Sequence, residues 1–339
     1  MKEKTLIVAE LSANHNGSKE TALQTIKAAK RAGADAVKLQ TYTADTITLD
    51  VKNKDFETQK GGLWEGRYLH DLYKEAYTPW EWHRELFDCA HKEGLVCFSA
   101  PFDKSAVDFL ETLDNPIYKI ASFEITDIPL IEYAASTMKP MIISTGVAGL
   151  EDIELAVAAC RKAGNNDITL LKCTSSYPAP IEDANLSMIR DMAEHFSVKA
   201  GLSDHTIGSL VPVAAVALGA TVIEKHFIID RSIGGPDAAF SMDEQEFTQM
   251  VKDIRSVEKA MGTVDYSMTE KMKANKDYSR SLYVAEDMKA GDMITEKNVR
   301  SVRPGYGLHP KYQSEIIGKT VNCDLKKGTR MSLEFIKYE

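Results

Sequence analysis

The stretch MIISTGVAGLEDIELAVAACRKAGNNDITLLKC, residues 141–173, shows the pattern that decides the fold. Its short β-rich apolar runs at 141–144 and 168–173 predict buried strands. Between them, residues 151–163 have the apolar spacing of an amphipathic helix, and Gly164 follows where a left-handed helix cap is expected. The stretch therefore predicts a strand–helix–strand unit that joins two parallel strands.

The same unit repeats from residue 5 to about residue 262, with a second clear helix pattern at 21–32 closed by Gly33. Eight strand candidates occupy residues 6–10, 36–40, 96–99, 118–121, 141–144, 168–173, 199–202 and 222–226. Strands that alternate with helices predict an all-parallel sheet, and eight of them favour a (β/α)8 TIM barrel. A doubly wound sheet is the alternative, which the absence of a Gly-x-Gly-x-x-Gly turn after the first strand disfavours.

Composition limits the class of protein. The chain has 339 residues, a net charge of −9 and five cysteines. Because the sequence is acidic and has no basic stripe, we expect no nucleic-acid partner. Scattered cysteines without a C-x-x-C pair predict reduced thiols. The apolar runs are too short to cross a bilayer and the first residues lack a signal-peptide pattern, so we expect a cytoplasmic protein without a membrane partner.

Three segments are predicted along the chain. Residues 1–265 would form the barrel, residues 266–278 a linker, and residues 279–339 a small, mostly β domain. In the last segment, EDMKAGDM (286–293) and NCDLKKGT (322–329) form a loose repeat, which suggests pseudo-symmetry. Within the barrel, the long connection 42–77 is interpreted as a lid or partner contact, with a surface insertion of no catalytic role as the alternative.

Polar residues stand at nearly every predicted strand end, where the loops of a barrel converge and chemistry is built. They are Glu10, Lys38, Gln40, Ser99, Lys119, Ser122, Glu124, Ser144, Lys172, Ser175, Tyr177, Ser203, Asp204, His205, Glu224, Lys225 and His226. One such residue alone is more often a cap or a solvated side chain. The same feature on eight successive strands indicates an active site.

His205 and His226 end neighbouring strands, which lie about 4.8 Å apart. Two neutral imidazoles at that spacing can share a divalent ion, and two hydrogen-bonded histidines without a metal are the alternative. A closed structural zinc site is disfavoured, because we expect no cysteine nearby. An open site that substrate and water complete, acting as a Lewis acid, fits better.

Cations and hydroxyl groups are also expected to converge on the mouth of the barrel, the end where the carboxyl ends of the strands lie. They come from Lys38, Lys119, Lys172, Ser122, Ser144 and Ser203. Together they suit a small phosphorylated carboxylate, since both anionic ends need charge-assisted hydrogen bonds. A Schiff-base aldolase is the competing interpretation of a buried barrel lysine. Two lysines beside a possible metal favour electrostatic binding instead.

The strand-end motifs resemble those of the sialic acid synthase family. They are AELSANHNG (9–17), VKLQT (37–41), YKIASFE (118–124), IISTG (142–146), GLSDHT (201–206) and IEKHF (223–227). RPGYG (303–307) resembles the antifreeze-like C-terminal domain of that family, so the resemblance covers essentially the whole chain. The insertion LWEGRYLHDLYKEAYTPWEW (63–82) is most similar to the pseudaminic acid synthase branch.

The resemblance implies a TIM barrel with a small antiparallel C-terminal domain of the β-clip type, in a homodimer where each such domain covers the partner's active site. The implied reaction condenses phosphoenolpyruvate with 2,4-diacetamido-2,4,6-trideoxy-L-altrose, an amino-sugar aldehyde, and gives a nonulosonic acid and phosphate. N-acetylneuraminate or legionaminate synthesis is the alternative within the family. A metal-dependent barrel hydrolase is the alternative of another class, which a missing His-x-His pair on the first strand disfavours.

The resemblance also implies site roles. His205 and His226 would bind a divalent metal cation, Mn²⁺ or Mg²⁺, and Glu10 would handle protons or orient water. Phosphoenolpyruvate would contact Lys38, Lys119, Ser122, Ser144, Ser175 and Ser203. The sugar would contact Gln40, Glu124, Tyr177 and Asp237, with Arg303 arriving from the neighbouring subunit. Ala100, Lys172 and Ser175 stand where the family often has Thr, His and Asn.

Overall fold

Eight parallel strands form a closed barrel in the computed structural model, which describes residues 4–58 and 64–337. The strands are β1 Leu6–Glu10, β2 Ala36–Thr41, β3 Val96–Pro101, β4 Tyr118–Ile120, β5 Met141–Ser144, β6 Ile168–Cys173, β7 Lys199–Asp204 and β8 Val222–His226. Each pairs with the next, and β8 closes the barrel on β1. The predicted (β/α)8 barrel is confirmed, and the doubly wound alternative is wrong.

Ten helices of the described barrel segment accompany the strands. They are α1 Lys19–Arg31, α2 Ala44–Ile47, α3 Leu69–Ala76, α4 His83–Lys92, α5 Lys104–Glu111, α6 Ile128–Ala135, α7 Leu150–Lys162, α8 Ser187–Phe196, α9 Leu210–Ala217 and α10 Glu244–Met261. Gly164 follows α7 with φ of +87°, in the left-handed conformation that the sequence predicted. No helix in the described ranges has the length and apolar character that a bilayer crossing requires.

The barrel interior is built in two layers by the alternation of side chains along the strands. The floor is an apolar cluster of Val8, Ala36, Phe98, Ile142, Leu171 and Val222. Two residues further along these strands, on the same inward face, stand Glu10, Lys38, Ala100, Ser144, Cys173 and Glu224. The strand sequences therefore place a mostly polar layer directly above an apolar floor.

Gly201 on β7 leaves the space that the floor needs to close. A Cβ atom at this position would lie 2.4 Å from the carbonyl oxygen of Val222 and 2.8 Å from Leu171 Cδ2. Backbone on one side and a packed leucine on the other leave no room for a methyl group. A larger residue would push β7 away from β8, whose Glu224 takes part in two of the polar layer's three ion pairs.

The chain divides into two compact units, Met1–Gly262 and Thr263–Glu339. In the second unit, β9 Ser281–Val284 pairs with β10 Val299–Val302, and β11 Thr320–Val321 pairs with β12 Ile336–Lys337, both antiparallel. The predicted linker contains a helix, α11 Glu270–Lys276, and a short helix α12 spans Gln313–Ile316. The boundaries at residues 265 and 278 stay predictions. Residues 1–3 of the predicted barrel segment, residues 338–339 of the predicted C-terminal domain, and Leu63 in the insertion motif lie outside the described residues.

The repeat in the second unit pairs with itself. Met288 and Leu325 exchange two backbone hydrogen bonds of 2.8 Å. On either side, Lys289 forms an ion pair with Asp324 at 2.7 Å, and Lys326 forms one with Asp287 at 2.8 Å. The two halves therefore meet about a local two-fold axis, as the sequence repeat suggested.

We expect Gly201→Ala to destabilise the barrel by about 1–3 kcal/mol, because the added methyl group overpacks the floor. Gly149→Ala is the matched control, since its Cβ would meet only Asp152 Oδ2, at 3.7 Å. The measurement is urea unfolding followed by tryptophan fluorescence, which reports on the barrel because all three tryptophans, Trp64, Trp80 and Trp82, belong to it. Equal midpoints for both variants would contradict the account of the floor.

Candidate active site

Two buried carboxylates and two buried ammonium groups occupy the centre of the polar layer. Lys38 Nζ lies 3.0 Å from Glu10 Oε2 and 2.9 Å from Glu224 Oε1. Lys119 Nζ lies 3.8 Å from the same oxygen of Glu224. Strands β1, β2, β4 and β8 each contribute one of these groups, and all four side chains are nearly inaccessible to solvent. Because an unpaired charge is costly in such an environment, the cluster fixes the register of these strands.

Neutral donors complete part of this cluster. Ser203 Oγ donates a hydrogen bond of 3.0 Å to Glu224 Oε1, and Gln40 Nε2 donates one of 3.1 Å to Glu10 Oε1. Glu224 Oε2 is buried and has no hydrogen-bond partner among the described residues. This carboxylate oxygen of Glu224 is thus an acceptor that no donor of the cluster satisfies.

The cluster separates the pKa values of its two carboxyl groups. Burial, reinforced by the charge of Glu224, raises the pKa of Glu10 to about 7, although Lys38 opposes the rise. Burial also acts to raise the pKa of Glu224, but Lys119 and Lys38 outweigh it and lower that pKa to about 2. Near neutral pH, Glu224 is therefore a fixed anion, whereas Glu10 can gain or lose a proton.

The two lysines are affected in opposite directions. Burial would lower the pKa of Lys38, but the carboxylates of Glu10 and Glu224 outweigh it and raise this pKa. Burial lowers the pKa of Lys119 to about 8, because Glu224 offsets it only in part. Lys38 is thus a permanent cation, and Lys119 is the lysine whose charge depends most on what binds beside it.

His205 and His226 lie side by side at the ends of β7 and β8, with ring centroids 5.4 Å apart. His205 Nδ1 donates to the carbonyl oxygen of Thr174 at 2.9 Å, which leaves Nε2 as the unprotonated nitrogen of the neutral ring. His226 Nδ1 is buried without a hydrogen-bond partner in the ranges described. Two imidazoles with available nitrogen atoms fit a divalent cation that takes its remaining ligands from substrate and water.

A closed metal site is not present among residues 4–58 and 64–337. No group of three or more His, Cys, Asp and Glu side chains there has the spacing of a metal centre. The expectation that no cysteine lies near the histidines is wrong, because Cys173 Sγ is 3.9 Å from His205 Nδ1. The predicted bounds of β6 are the observed ones, and alternation from Leu171 in the barrel floor places Cys173 on the inward face.

Hydroxyl groups gather around Gly146, just after β5. The Gly146 N–H donates to Ser122 Oγ at 3.1 Å. A Cβ atom on Gly146 would lie 2.2 Å from Ser175 Oγ and 2.8 Å from Ser122 Oγ, so only glycine lets these hydroxyls approach the backbone. Ser144 Oγ, on β5 itself, is buried without a hydrogen-bond partner among the described residues. The cradle offers several hydroxyl groups to one small ligand.

Aromatic and carboxyl groups line the other side of the mouth. The Tyr177 ring lies 4.4 Å from that of His205 and 5.0 Å from that of Phe240. Asp237 Oδ2 is 3.8 Å from His226 Nδ1, and burial raises the pKa of Asp237. Burial likewise raises the pKa of Glu124, to about 7. These groups present hydrogen-bonding carboxyls next to apolar ring surface, a combination suited to a polar ligand with methyl groups.

Part of the long insertion reaches this mouth. The Trp64 ring centroid is 6.1 Å from that of Tyr177. Trp64 Nε1 is buried and has no hydrogen-bond partner among the described residues. The insertion also contains the short helices α2 and α3, and α3 carries Tyr73, whose ring contacts Tyr42 with centroids 5.8 Å apart. The insertion is therefore more than a remote surface loop.

One residue expected at the mouth lies elsewhere, and another belongs to the second unit. Lys172 pairs with Leu202 on the helix-facing side of the sheet, and its ammonium donates to the Cys173 carbonyl oxygen and to Thr174 Oγ1. The prediction that Lys172 points into the mouth is therefore wrong, because strand alternation turns it outward. Arg303 follows β10 in the second unit and is exposed. Every other predicted site residue belongs to the barrel unit, and all of these except Asp237, which lies in the loop between β8 and α10, stand in the second half of a strand or within four residues of its end.

Sequence reasoning left Glu224 without a role, although it contacts both lysines and Ser203. Its position two residues before His226, on the same inward face of a strand, was the available signal. Cys173 and Trp64 gave no comparable signal, because their approach to the site depends on packing between distant segments.

A closed barrel whose carboxyl-end mouth holds titratable and cationic side chains is the architecture of a TIM-barrel enzyme. Residues 25–266 match the NeuB family, and residues 279–330 match the SAF domain. The chain belongs to the NeuB family. This confirms the predicted resemblance to the sialic acid synthase family, and the SAF match agrees with the small antiparallel sheets of the second unit.

The chain is similar to enzymes of one branch over nearly its whole length. It is 50% identical to the pseudaminic acid synthase of Campylobacter jejuni over 326 residues, which are 96% of this chain and 95% of that protein. It is 48% identical to that of Helicobacter pylori over 332 residues, 98% and 97% of the two chains. A solved N-acetylneuraminic acid synthetase from Leptospira borgpetersenii, in complex with citrate, aligns with a TM-score of 0.72 and 31% identity, over 81% of this chain and 91% of that one.

We expect Lys38→Met to destabilise the barrel by about 3–5 kcal/mol at pH 8, because it leaves Glu10 and Glu224 buried without their shared cation. The pKa of Glu10, which burial already raises to about 7 against the opposing effect of Lys38, would then lie still further above its unfolded value, so the stability that Glu10 contributes is greatest at low pH and is lost as the pH rises. The loss should accordingly be smaller near pH 5. Urea unfolding at both values measures it, with half-buried Lys172→Met as the control. A loss that does not depend on pH would contradict the assigned charges.

Proposed function

We propose that this enzyme condenses phosphoenolpyruvate with 2,4-diacetamido-2,4,6-trideoxy-L-altrose, giving a nonulosonic acid and phosphate. The observation that carries the proposal is the charged cluster of Lys38, Lys119, Glu10 and Glu224, set beside a cradle of hydroxyl groups and two available histidines. Similarity to pseudaminic acid synthases over 96% of the chain or more supports the choice of sugar.

Phosphoenolpyruvate would be bound by the two lysines and the serines. Lys38 and Lys119 would hold its anionic groups by charge-assisted hydrogen bonds. The serine set is Ser122, Ser144, Ser175 and Ser203, of which Ser122 and Ser175 surround Gly146. An anion close to Lys119 would favour its protonated form, since a nearby opposite charge stabilises the ammonium group.

His205 and His226 would hold a divalent cation, Mn²⁺ or Mg²⁺. Such a cation, when bound, polarises the aldehyde oxygen of the open-chain sugar as a Lewis acid. Gln40, Glu124, Tyr177 and Asp237 would contact the sugar and hold its aldehyde towards the enol carbon of phosphoenolpyruvate.

Glu10 would manage protons beside the reacting centre. Carbon–carbon bond formation leaves a positive, oxocarbenium-like centre at the second carbon of the former enol, where water adds. With a pKa of about 7, Glu10 can take a proton from that water near neutral pH. The lysines would stabilise the phosphate as the tetrahedral intermediate collapses to the 2-keto acid.

Purified protein with Mn²⁺ should release phosphate from phosphoenolpyruvate when the diacetamido-L-altrose sugar is present, and EDTA should abolish the release. N-acetylmannosamine, offered in parallel, tests the alternative of N-acetylneuraminate synthesis. Release with N-acetylmannosamine alone would move the chain to that branch. Release without any acceptor would favour the metal-dependent hydrolase.

A Schiff-base aldolase is the second candidate, favoured by the lowered pKa of Lys119. Borohydride reduction in the presence of either substrate distinguishes the two reactions. Under the proposed chemistry, the protein gains no mass and keeps its activity. A covalent adduct at Lys119 would establish the aldolase instead.

We further propose a homodimer in which the SAF domain of one subunit covers the active site of the other. Arg303, exposed at the end of β10, would reach the partner's sugar site. Excluding water from the mouth would strengthen the electrostatic interactions inside it. We also propose a cytoplasmic location, with which the five free cysteines agree.

Arg303→Ala and Glu10→Gln should each lower activity about 100-fold, through lost charge stabilisation and lost proton transfer respectively. Mixing the two variants after mild dissociation should restore up to about a quarter of wild-type activity, since half of the dimers then contain one intact site. The control mixes wild-type protein with the Glu10→Gln/Arg303→Ala double variant. If the mixture of single variants stays inactive although subunits exchange, Arg303 acts within its own chain.

A further inference from the structure

A buried ion pair lies on the outer face of the barrel, directly behind the two histidines. Asp204 and Lys225 are register partners on β7 and β8, and each immediately precedes one of the histidines. The Lys225 ammonium contacts Asp204 Oδ2, and the two side chains are only 2% and 1% exposed. Leu202 and Ile223, two residues earlier, pack in the core between sheet and helices, which places the pair on that side.

The pair also holds the loop that follows β7. Asp204 Oδ1 accepts the Thr206 N–H at 3.1 Å, and Oδ2 accepts the Thr206 hydroxyl at 3.0 Å. Lys225 donates in addition to the Thr206 carbonyl oxygen. His205 is therefore flanked on both sides by residues that are bonded to Lys225, the residue next to His226.

The side chains of the two histidines do not hold each other in place. His205 is oriented by the Thr174 carbonyl oxygen on the far side from β8. His226 Nδ1 has no hydrogen-bond partner among the described residues, so the ring depends on its backbone position and on packing against Phe240, at 4.9 Å between centroids. The separation of the two rings is thus set by the distance between the ends of β7 and β8.

We propose that the Asp204–Lys225 pair is a positioning device for the metal site: it ties the ends of β7 and β8 so that both imidazoles can bind one divalent cation. This inference rests on the proposed function of His205 and His226. A buried pair between helices and sheet is able to fix geometry because both carboxylate oxygens of Asp204 and all polar groups of Thr206 are hydrogen-bonded locally. Neither Asp204 nor Lys225 touches a substrate in this scheme.

The test measures Mn²⁺ affinity by the EPR signal of free Mn²⁺, using the full-length protein. Lys225→Met should weaken Mn²⁺ binding by about 10- to 100-fold, the range seen when groups that orient metal ligands are removed. Since this variant leaves Asp204 unpaired, Asp204→Asn/Lys225→Met serves as a second variant without a buried net charge. Turnover should return towards the wild-type value at saturating Mn²⁺ in both.

Arg255→Met is the matched control. Arg255 pairs with Asp35 outside the barrel at the opposite end of the strands, so its loss should lower stability without changing Mn²⁺ affinity. Wild-type Mn²⁺ affinity in either folded Lys225 variant would overturn the inference while leaving the proposed reaction intact. If wild-type protein turns over without any metal, the metal role of the histidines fails, and the inference fails with it.

Discussion

The ion cluster inside the barrel is the constraint on which the rest of the structure depends. Lys38 has to meet Glu10 and Glu224 at once, and these three residues belong to β2, β1 and β8. These ion pairs require β1 to lie between β2 and β8 in the observed register, in which Glu10 is the register partner of both Lys38 and His226. A shift of one residue would turn a charged side chain into the apolar layer under the helices. Closing the barrel and assembling the active site are therefore one physical event.

The fold was predictable because its signals are local and repeated. Strand runs, helix patterns and cap glycines such as Gly164 each depend on a few neighbouring residues, and predicted strand ends differ from the observed ones by no more than two residues. The residues that face the barrel interior on the last two strands were predictable for the same reason. Strand alternation alone places Ser203 with His205, and Glu224 with His226, on one face. Helix α11 was missed because its short polar sequence has no apolar periodicity to indicate a helix.

The site was less predictable where the inward and outward faces of a strand end were not told apart. Taking every polar residue near a strand end as inward placed Lys172 in the mouth, although the inward residue is its neighbour Cys173. Contacts between distant segments gave no sequence signal at all. The approach of Trp64 to Tyr177 depends on the path of an insertion of more than thirty residues, and no local pattern encodes that path.

The charge balance of the cluster bears on why a divalent cation fits this site. The two lysines bring two positive charges, Glu224 is a fixed anion, and Glu10 carries a partial negative charge near pH 7. The cluster is therefore close to neutral before any ligand arrives, and a substrate with a phosphate and a carboxylate would bring an excess of negative charge into a buried space. A cation on His205 and His226 would offset that excess at the place where the sugar aldehyde is proposed to lie. Protonation of Glu10 would also reduce the excess negative charge, although by less than the divalent cation would. Its pKa near 7 lets the carboxyl become neutral as the anion enters.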